Sequence, residues 1–301
     1  NGAVAQHYKM NHLRCLNKLK DGERFQKSLG ILGGGNHFIE LSVDDKDCYY
    51  LIIHSGSRNL GKQVADYYQN KAIELAKGLG DLNVQKEKLI KDLKEQGQQN
   101  LIQKSLKEME QTFNNTQPSY PKALCFLEDE ERDNYLNDMM FCQGYAAFNR
   151  DLIGDIIINK LFLNCNLDFF EHFHTIHNYI DFKDNIIRKG AVSAYKDQEI
   201  IIPINMRDGS ILATGKGNPD WNYSAPHGAG RLMGRNEAKR TLDVKDFQES
   251  MDGIFSTTIG FSTLDEAPMA YKPIQEIIDN IGDTVTIDKI IKPVYNFKSA
   301  E

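Results

Sequence analysis

Two β-type runs flank a polar turn near the start of the chain: Phe38–Val43 and Cys48–Ile53, joined by Asp44-Asp45-Lys46-Asp47. Aromatic and β-branched residues bounded by turn formers read as an antiparallel hairpin, which commits this stretch to a sheet. If Asp44–Asp47 is the loop, Val43 pairs with Cys48 and His37 lies opposite His54. Opposite residues share a face, with Cβ atoms about 4.5–5.5 Å apart. Two imidazoles at that separation can hold one metal ion, or two neighbouring ones. Ile39, Leu41, Val43, Tyr50 and Ile52 share that face in this register, so the histidines would sit at the mouth of an apolar wall.

Two further segments carry chemistry. His172, His174 and His177 lie in a β-like run, Phe169–Ile180, where His172 and His174 share one face and His177 takes the other. Ser224-Ala225-Pro226-His227-Gly228-Ala229-Gly230-Arg231 places a histidine in a glycine-rich loop. Pro226 drives Ala225 towards extended geometry, and the glycines let backbone N–H groups approach a ligand. Arg231, Arg235 and Lys239, four residues apart, predict one basic helix face. Such a loop suits phosphate chemistry: arginines and backbone hold the phosphates, and the imidazole attacks phosphorus.

The rest of the chain reads as helices and short strands. Lys62–Lys77 and Val84–Phe113 have helical periodicity, the second as a hairpin bent near Gly97. Met139–Leu163 is apolar enough for a buried helix, preceded by an acidic stretch from Glu128 to Asp138, and Ile200–Ile204 is a strand. The expected class is α+β: one large domain over 1–301 with a mixed core sheet and a helical hairpin inserted at 80–116.

Charge bounds the partners. Lys and Arg total 36 and Asp and Glu 42, a net −6, so any nucleic-acid site must be a local patch. Five cysteines, an odd number without a CxxC pair, read as reduced thiols in a cytoplasmic protein. No apolar run approaches the roughly 20 residues that span a bilayer, so no membrane partner is expected.

Several longer motifs then fall into one order. Gly33-Gly34-Gly35-Asn36-His37-Phe38-Ile39-Glu40, His54-Ser55-Gly56-Ser57-Arg58, Tyr145-Ala146-Ala147-Phe148-Asn149-Arg150, His177-Asn178, Ala225–Arg231, Asp265-Glu266-Ala267-Pro268-Met269-Ala270-Tyr271-Lys272 and the C-terminal Lys298 resemble the RtcB RNA-splicing ligases. The resemblance runs from about residue 28 to the end. It implies a GTP- and Mn²⁺-dependent ligase that joins RNA 3′-phosphate or 2′,3′-cyclic phosphate ends to 5′-hydroxyl ends, in tRNA splicing or RNA repair. Carried over by position, His227 looks like the nucleophile that takes GMP. His37, His54 and His177 look like manganese ligands. Asn36, Glu40, Ser210, Tyr271 and Lys298 look like nucleotide contacts, with Tyr271 against the guanine. Arg58 and Arg231 look like RNA-phosphate contacts.

The family also has an upstream Asp-x-Gly-Cys-type segment that supplies a carboxylate and a thiolate to the metals, and no such segment occurs here. Together with the Asn at position 1, this leads to the expectation that an N-terminal segment is missing. Two other readings compete: a metal-dependent phosphoesterase or nuclease using the same histidines, and a GTP- or RNA-binding remnant without turnover. The physiological RNA and any activating protein partner are not legible.

Overall fold

The computed structural model describes residues 10–116, 121–161 and 171–299. It is α+β, as expected, and its contacts divide it into two compact units.

The first unit takes residues up to 26 and 59–142. It is helical: α1 (Gly22–Lys27), α2 (Leu60–Ala76), α3 (Leu79–Glu95), α4 (Ile102–Thr116) and the first part of α5 (Asp129–Leu161). Helix α3 ends at Glu95 and the chain turns through Gly97 in a left-handed conformation before α4. The buried carboxylate of Asp138 accepts from the backbone N–H groups of Arg14 and Cys15 and from the Tyr68 hydroxyl, at 2.7–3.0 Å. It thereby ties the N-terminal turn to α2 and α5, its acceptors met by donors. The acidic stretch before Met139 opens α5, and Asp129, Glu130 and Glu131 in its first turn complement the helix dipole.

The second unit holds residues 27–58 and 143–299 of those described. Its sheet contains β1 (Phe38–Val43), β2 (Tyr49–His54), β6 (Glu199–Asn205), β7 (Gly209–Gly215) and β9 (Val285–Lys298) in the order β2-β1-β9-β7-β6, antiparallel throughout. The long β9 pairs first with β7 and then with β1, so one strand joins the two hairpins. Pro293 sits at the irregularity between Leu41 and Ser42, and Pro203 lies in the edge strand β6 at another. Proline lacks the ladder's N–H donor and belongs at such places. Two short ladders complete the strands: β3 (Tyr179–Asp181) with β4 (Ile186–Arg188), and β5 (Ala191–Ser193) with β8 (Ser224–Pro226).

Ile200, Ile202, Ile204, Ile211 and Val285 form the main core with Ile277 and Ile281 of α8 (Ile274–Ile281). A second cluster joins Phe247 of α7 (Val244–Ser250) to Met251, Leu264 and Met206. Helix α6 (Arg235–Thr241) precedes it.

Three expectations are corrected. The hairpin turn is one residue longer than expected: Asp44 N–H donates to the Cys48 carbonyl, and the Asp44 side chain accepts from Lys46 N and Cys48 N. Val43 therefore pairs with Tyr49, and Phe38, not His37, pairs with His54. The shift exchanges faces, so the buried residues of β1 are Glu40 and Ser42. Second, residues 171–177 lie outside regular strands, and pairing begins only at Tyr179; residues 169 and 170 lie outside the described set, as does Cys165. Third, Arg231 precedes α6 instead of sharing its face with Arg235 and Lys239.

Candidate active site

The loop Gly30–His37 and the end of β2 converge on Asn149 of α5. Its side chain accepts from Gly30 N at 2.9 Å and donates to Ser55 Oγ at 3.1 Å and to the Gly56 carbonyl at 3.3 Å. One fully buried amide thus fixes both segments that carry His37 and His54. Sequence reasoning saw Asn149 only as part of a motif; its signal was a polar residue within an apolar helix. Gly33 has φ +94°, and a Cβ there would lie 1.5 Å from Arg58 Nη1. Only glycine lets the loop run this close beneath the guanidinium.

Four imidazoles form a row. Ring centroids are 5.8 Å apart for His37 and His54, 5.6 Å for His54 and His177, and 4.6 Å for His177 and His227. The Nε2 atoms of His54 and His177 are 3.4 Å apart. His37 Nδ1 is 2.7 Å from the Leu32 carbonyl. A carbonyl only accepts, so Nδ1 carries the proton and Nε2 keeps its lone pair. His227 Nδ1 is likewise 2.8 Å from the Gly190 carbonyl. Burial holds His54 down to about 3 and His177 to about 4, with neighbouring imidazoles adding to the effect, and burial also lowers His37. All three are neutral near pH 7, the form that ligates a cation. His177 Nδ1 is buried and makes no hydrogen bond of good geometry; the Asn178 side chain is its polar neighbour. Each neutral ring keeps one lone pair, which suits a divalent metal that the three histidines could hold.

The other two histidines of the central segment do something else. Asp151, His172 and His174 bring three potential ligand atoms within 4.8 Å. However, Arg150 Nε donates to His174 Nδ1 at 3.1 Å, so the ring proton lies on Nε2, 2.8 Å from Asp151 Oδ1. Both ring nitrogens are therefore used within the protein. Arg150 also donates to the Ser55 carbonyl at 3.3 Å, next to His54.

The remaining expected residues fall into two groups. Lys298, Tyr271 and Arg231 meet around a buried acidic pair, Asp265 and Glu266. Glu266 accepts from Lys298 Nζ at 2.8 Å, Arg235 Nη2 at 3.2 Å, Arg231 Nη1 at 3.4 Å and the Tyr271 hydroxyl. Asp265 takes Arg235 at 3.1 Å and Lys239 at 3.4 Å. Four cations thus surround two carboxylates, a local excess of positive charge. Arg231 also donates to the Met233 and Asp265 carbonyls and to Tyr271 Oη, over whose ring its guanidinium lies at 5.0 Å. Lys298 Nζ reaches the Asn36 carbonyl at 3.1 Å and stands 5.1 Å over the Phe38 ring. Sequence reasoning places Arg235 and Lys239 on a basic helix face and Asp265 and Glu266 only within a motif; the packing that unites the four spans a loop and a helix.

Glu40 and Ser210 lie within the sheet. Glu40 is 2% exposed, accepting from Ser42 Oγ at 2.7 Å and Asn296 Nδ2 at 2.6 Å, and burial pushes its carboxyl up to about 7. Ser210 is 1% exposed, paired across the ladders with Pro203 and Ile291.

Comparison with known proteins gives one answer. The family model described as tRNA-splicing ligase RtcB matches residues 4–299. The chain is 30% identical over 281 residues to the RNA-splicing ligase RtcB of Escherichia coli K12, covering 89% of this chain and 60% of that protein. It is 27% identical over 315 residues to the tRNA-splicing ligase RtcB of Aeropyrum pernix, covering 89% and 58%. The chain thus spans about three-fifths of the length of the curated relatives it matches. No helix among the described residues is long and apolar enough to cross a membrane.

Proposed function

The chain belongs to the RtcB family, and on that premise we propose that it serves a GTP- and Mn²⁺-dependent RNA ligase that joins 3′-phosphate or 2′,3′-cyclic phosphate ends to 5′-hydroxyl ends. The observation that carries this reading is the anchored ring of His227 at the end of the imidazole row. Its Nδ1–H is held by the Gly190 carbonyl at 2.8 Å, which leaves Nε2 as the basic nitrogen. A neutral imidazole presented this way is a nucleophile.

A 2′,3′-cyclic phosphate end first takes up water, which breaks the bond from phosphorus to O2′ and leaves a 3′-phosphate and a 2′-hydroxyl. His227 Nε2 attacks the α-phosphorus of GTP; the N–P bond forms and the bond to pyrophosphate breaks. An oxygen of the RNA 3′-phosphate then attacks that phosphorus, releasing Nε2 and leaving GMP on the RNA end. The 5′-hydroxyl attacks the activated 3′-phosphorus, loses its proton and expels GMP. A bare phosphate monoester has no comparable leaving group, which is why a nucleotide is consumed. His37, His54 and His177 would hold manganese, which when bound supplies charge neutralisation at the triphosphate. Asn36, Lys298 and Tyr271 would receive the nucleotide beside Glu266, with Glu40 and Ser210 in the neighbouring sheet. Arg58 would hold the RNA end. Arg231, most of whose donors are engaged within the protein, would act on phosphate chiefly through the positive cluster it helps to build.

The test is incubation with GTP labelled at the α-phosphate in the presence of Mn²⁺. Acid-labile, alkali-stable label on the protein, lost in His227→Ala, is the expected result. Label that persists in that variant moves the nucleophile elsewhere. Phosphate release from RNA ends with no adduct at all supports a phosphoesterase instead.

A further inference from the structure

Arg188 ends β4 and is buried. Its five N–H donors are all spent. Nε donates to Ser224 Oγ at 2.9 Å; Nη1 donates to Tyr179 Oη at 3.1 Å and to the Asp181 carboxylate; Nη2 donates to the carbonyls of Asn222 at 3.2 Å and Tyr223 at 3.3 Å. Asp181 is itself held by the Tyr195 hydroxyl at 2.8 Å and by Lys183 N at 3.1 Å.

The segment that Arg188 grips is unusual. Asn222 and Tyr223 are consecutive residues at positive φ, 49° and 51°. Left-handed backbone is disfavoured for a non-glycine residue, and persists where the surroundings over-determine it. Arg188 takes both carbonyls of that turn, and the Tyr223 carbonyl also accepts from Ala194 N. The turn delivers the chain into β8, which pairs with β5 in the register Ala191↔Pro226. The next position out on that ladder joins Gly190 to His227, where the Nδ1–H···O=C bond forms. Gly190 lies two residues after Arg188, and His227 three after Ser224. One guanidinium therefore ties the chain just ahead of β5 to the turn and first residue of β8, the short ladder whose open end orients the imidazole.

We propose that Arg188 is a positioning residue for His227: by locking β4 to the Asn222–Ser224 turn it sets the tautomer and aim of the imidazole. The proposal rests on the reading of His227 as the nucleophile. It assigns to Arg188 no contact with nucleotide or RNA. Lysine in its place would keep the charge but could not span a hydroxyl, a carboxylate and two carbonyls.

Long-range proton–nitrogen correlation spectra of the histidine side chains read the tautomer directly and need no nucleotide. His227, identified by the signal lost in His227→Gln, should appear as the Nδ1–H tautomer, the less favoured form of free histidine. Arg188→Lys should move it to a mixture rich in Nε2–H. The same variant should form the GMP adduct roughly tenfold to a hundredfold more slowly, with the KM for GTP little changed. A folded Arg188→Lys that keeps the Nδ1–H signal and the wild-type adduct rate overturns the proposal. If that variant fails to fold, Asp181→Asn, which weakens the grip on Arg188, takes its place; it should shift the tautomer the same way, and an unmoved tautomer overturns the proposal. A wild-type chain that shows the Nδ1–H tautomer yet forms no adduct sinks the ligase reading, while the tautomer of the variants still judges Arg188.

Discussion

Lys298 and Glu266 form a buried ion pair, 2.8 Å from Nζ to Oε2, that joins the end of β9 to the segment ahead of Tyr271. Both side chains are at most 6% exposed. Burying two charges is tolerable only when their remaining valences are met, and here Asn36, Tyr271, Arg231 and Arg235 meet them. The pair couples the glycine-rich loop before β1 to the charged cluster proposed to receive the nucleotide.

Removing one partner should therefore be costly. Glu266→Ala leaves Lys298 and Arg231 without their carboxylate partner and Arg235 with Asp265 alone, and should lose about 3–5 kcal/mol of stability in urea unfolding. Lys298→Met, by contrast, leaves Glu266 with three of its four donors and should cost less, while still lowering adduct formation. Equal stability losses would mean that the cluster is not organised around Glu266.

Glu40 should make stability pH-dependent. Its native carboxyl is pushed up to about 7, above its ordinary value, so the native state prefers the protonated form. That contribution is full below the unfolded value near 4.5 and is lost as pH rises through about 7, on the order of 3 kcal/mol in total. Glu40→Gln keeps an acceptor for Asn296 and can donate to Ser42 Oγ. It should match the wild type at pH 4 and exceed it in urea stability at pH 8. A variant with the wild-type pH slope would show that Glu40 is ionised throughout. If the carboxylate also reads guanine, the variant should lose its preference for GTP over ATP in adduct formation.

Gly33→Ala tests the loop beneath Arg58. The substitution meets both a positive φ and Arg58 Nη1 at 1.5 Å. It should destabilise by about 1–3 kcal/mol and displace the guanidinium. If Arg58 holds the RNA end, sealing should fall further than adduct formation, as measured by separate adduct and ligation assays. An equal loss in both would assign Arg58 to the nucleotide step.

The two histidine groups should respond differently to manganese. His54→Ala removes a ring from the centre of the row, 3.4 Å from His177 Nε2, and should weaken Mn²⁺ binding at least roughly tenfold, since even an outer partner of a ligand costs that much. His174→Ala breaks the bond to Arg150 and Asp151 and should leave the bound-ion count unchanged by electron paramagnetic resonance titration. Loss of an ion in His174→Ala alone would transfer the metal site to the Asp151 group.

Much of this was legible in the residues themselves. The strands around Asp44–Asp47, the helical hairpin and the α+β class follow from local periodicity and turn chemistry, because those forces act between near neighbours. The histidines at 37, 54, 177 and 227 stood out because glycine-rich or strand-end settings are poor places for core histidines. Their alignment into one row is different. His37 and His54 are neighbours, yet not through the register that first brought them together: the Asp44 side chain takes up Cys48 and shifts the pairing by one residue. The rings still meet, because Asn149, far away in sequence, pins both segments.

Sequence alone determined which residue types are available and which short elements carry them: strand ends bearing imidazoles, a glycine-rich loop bearing His227, a basic stretch and an acidic pair. Tertiary structure alone decided their states. Whether Glu40 holds a proton, which nitrogen of His227 is basic, and whether Arg231 faces solvent or Glu266 depend on burial and on partners up to 256 residues away, as for Glu40 and Asn296. Desolvation and hydrogen-bond geometry are properties of a packed interior, and no window of sequence contains them.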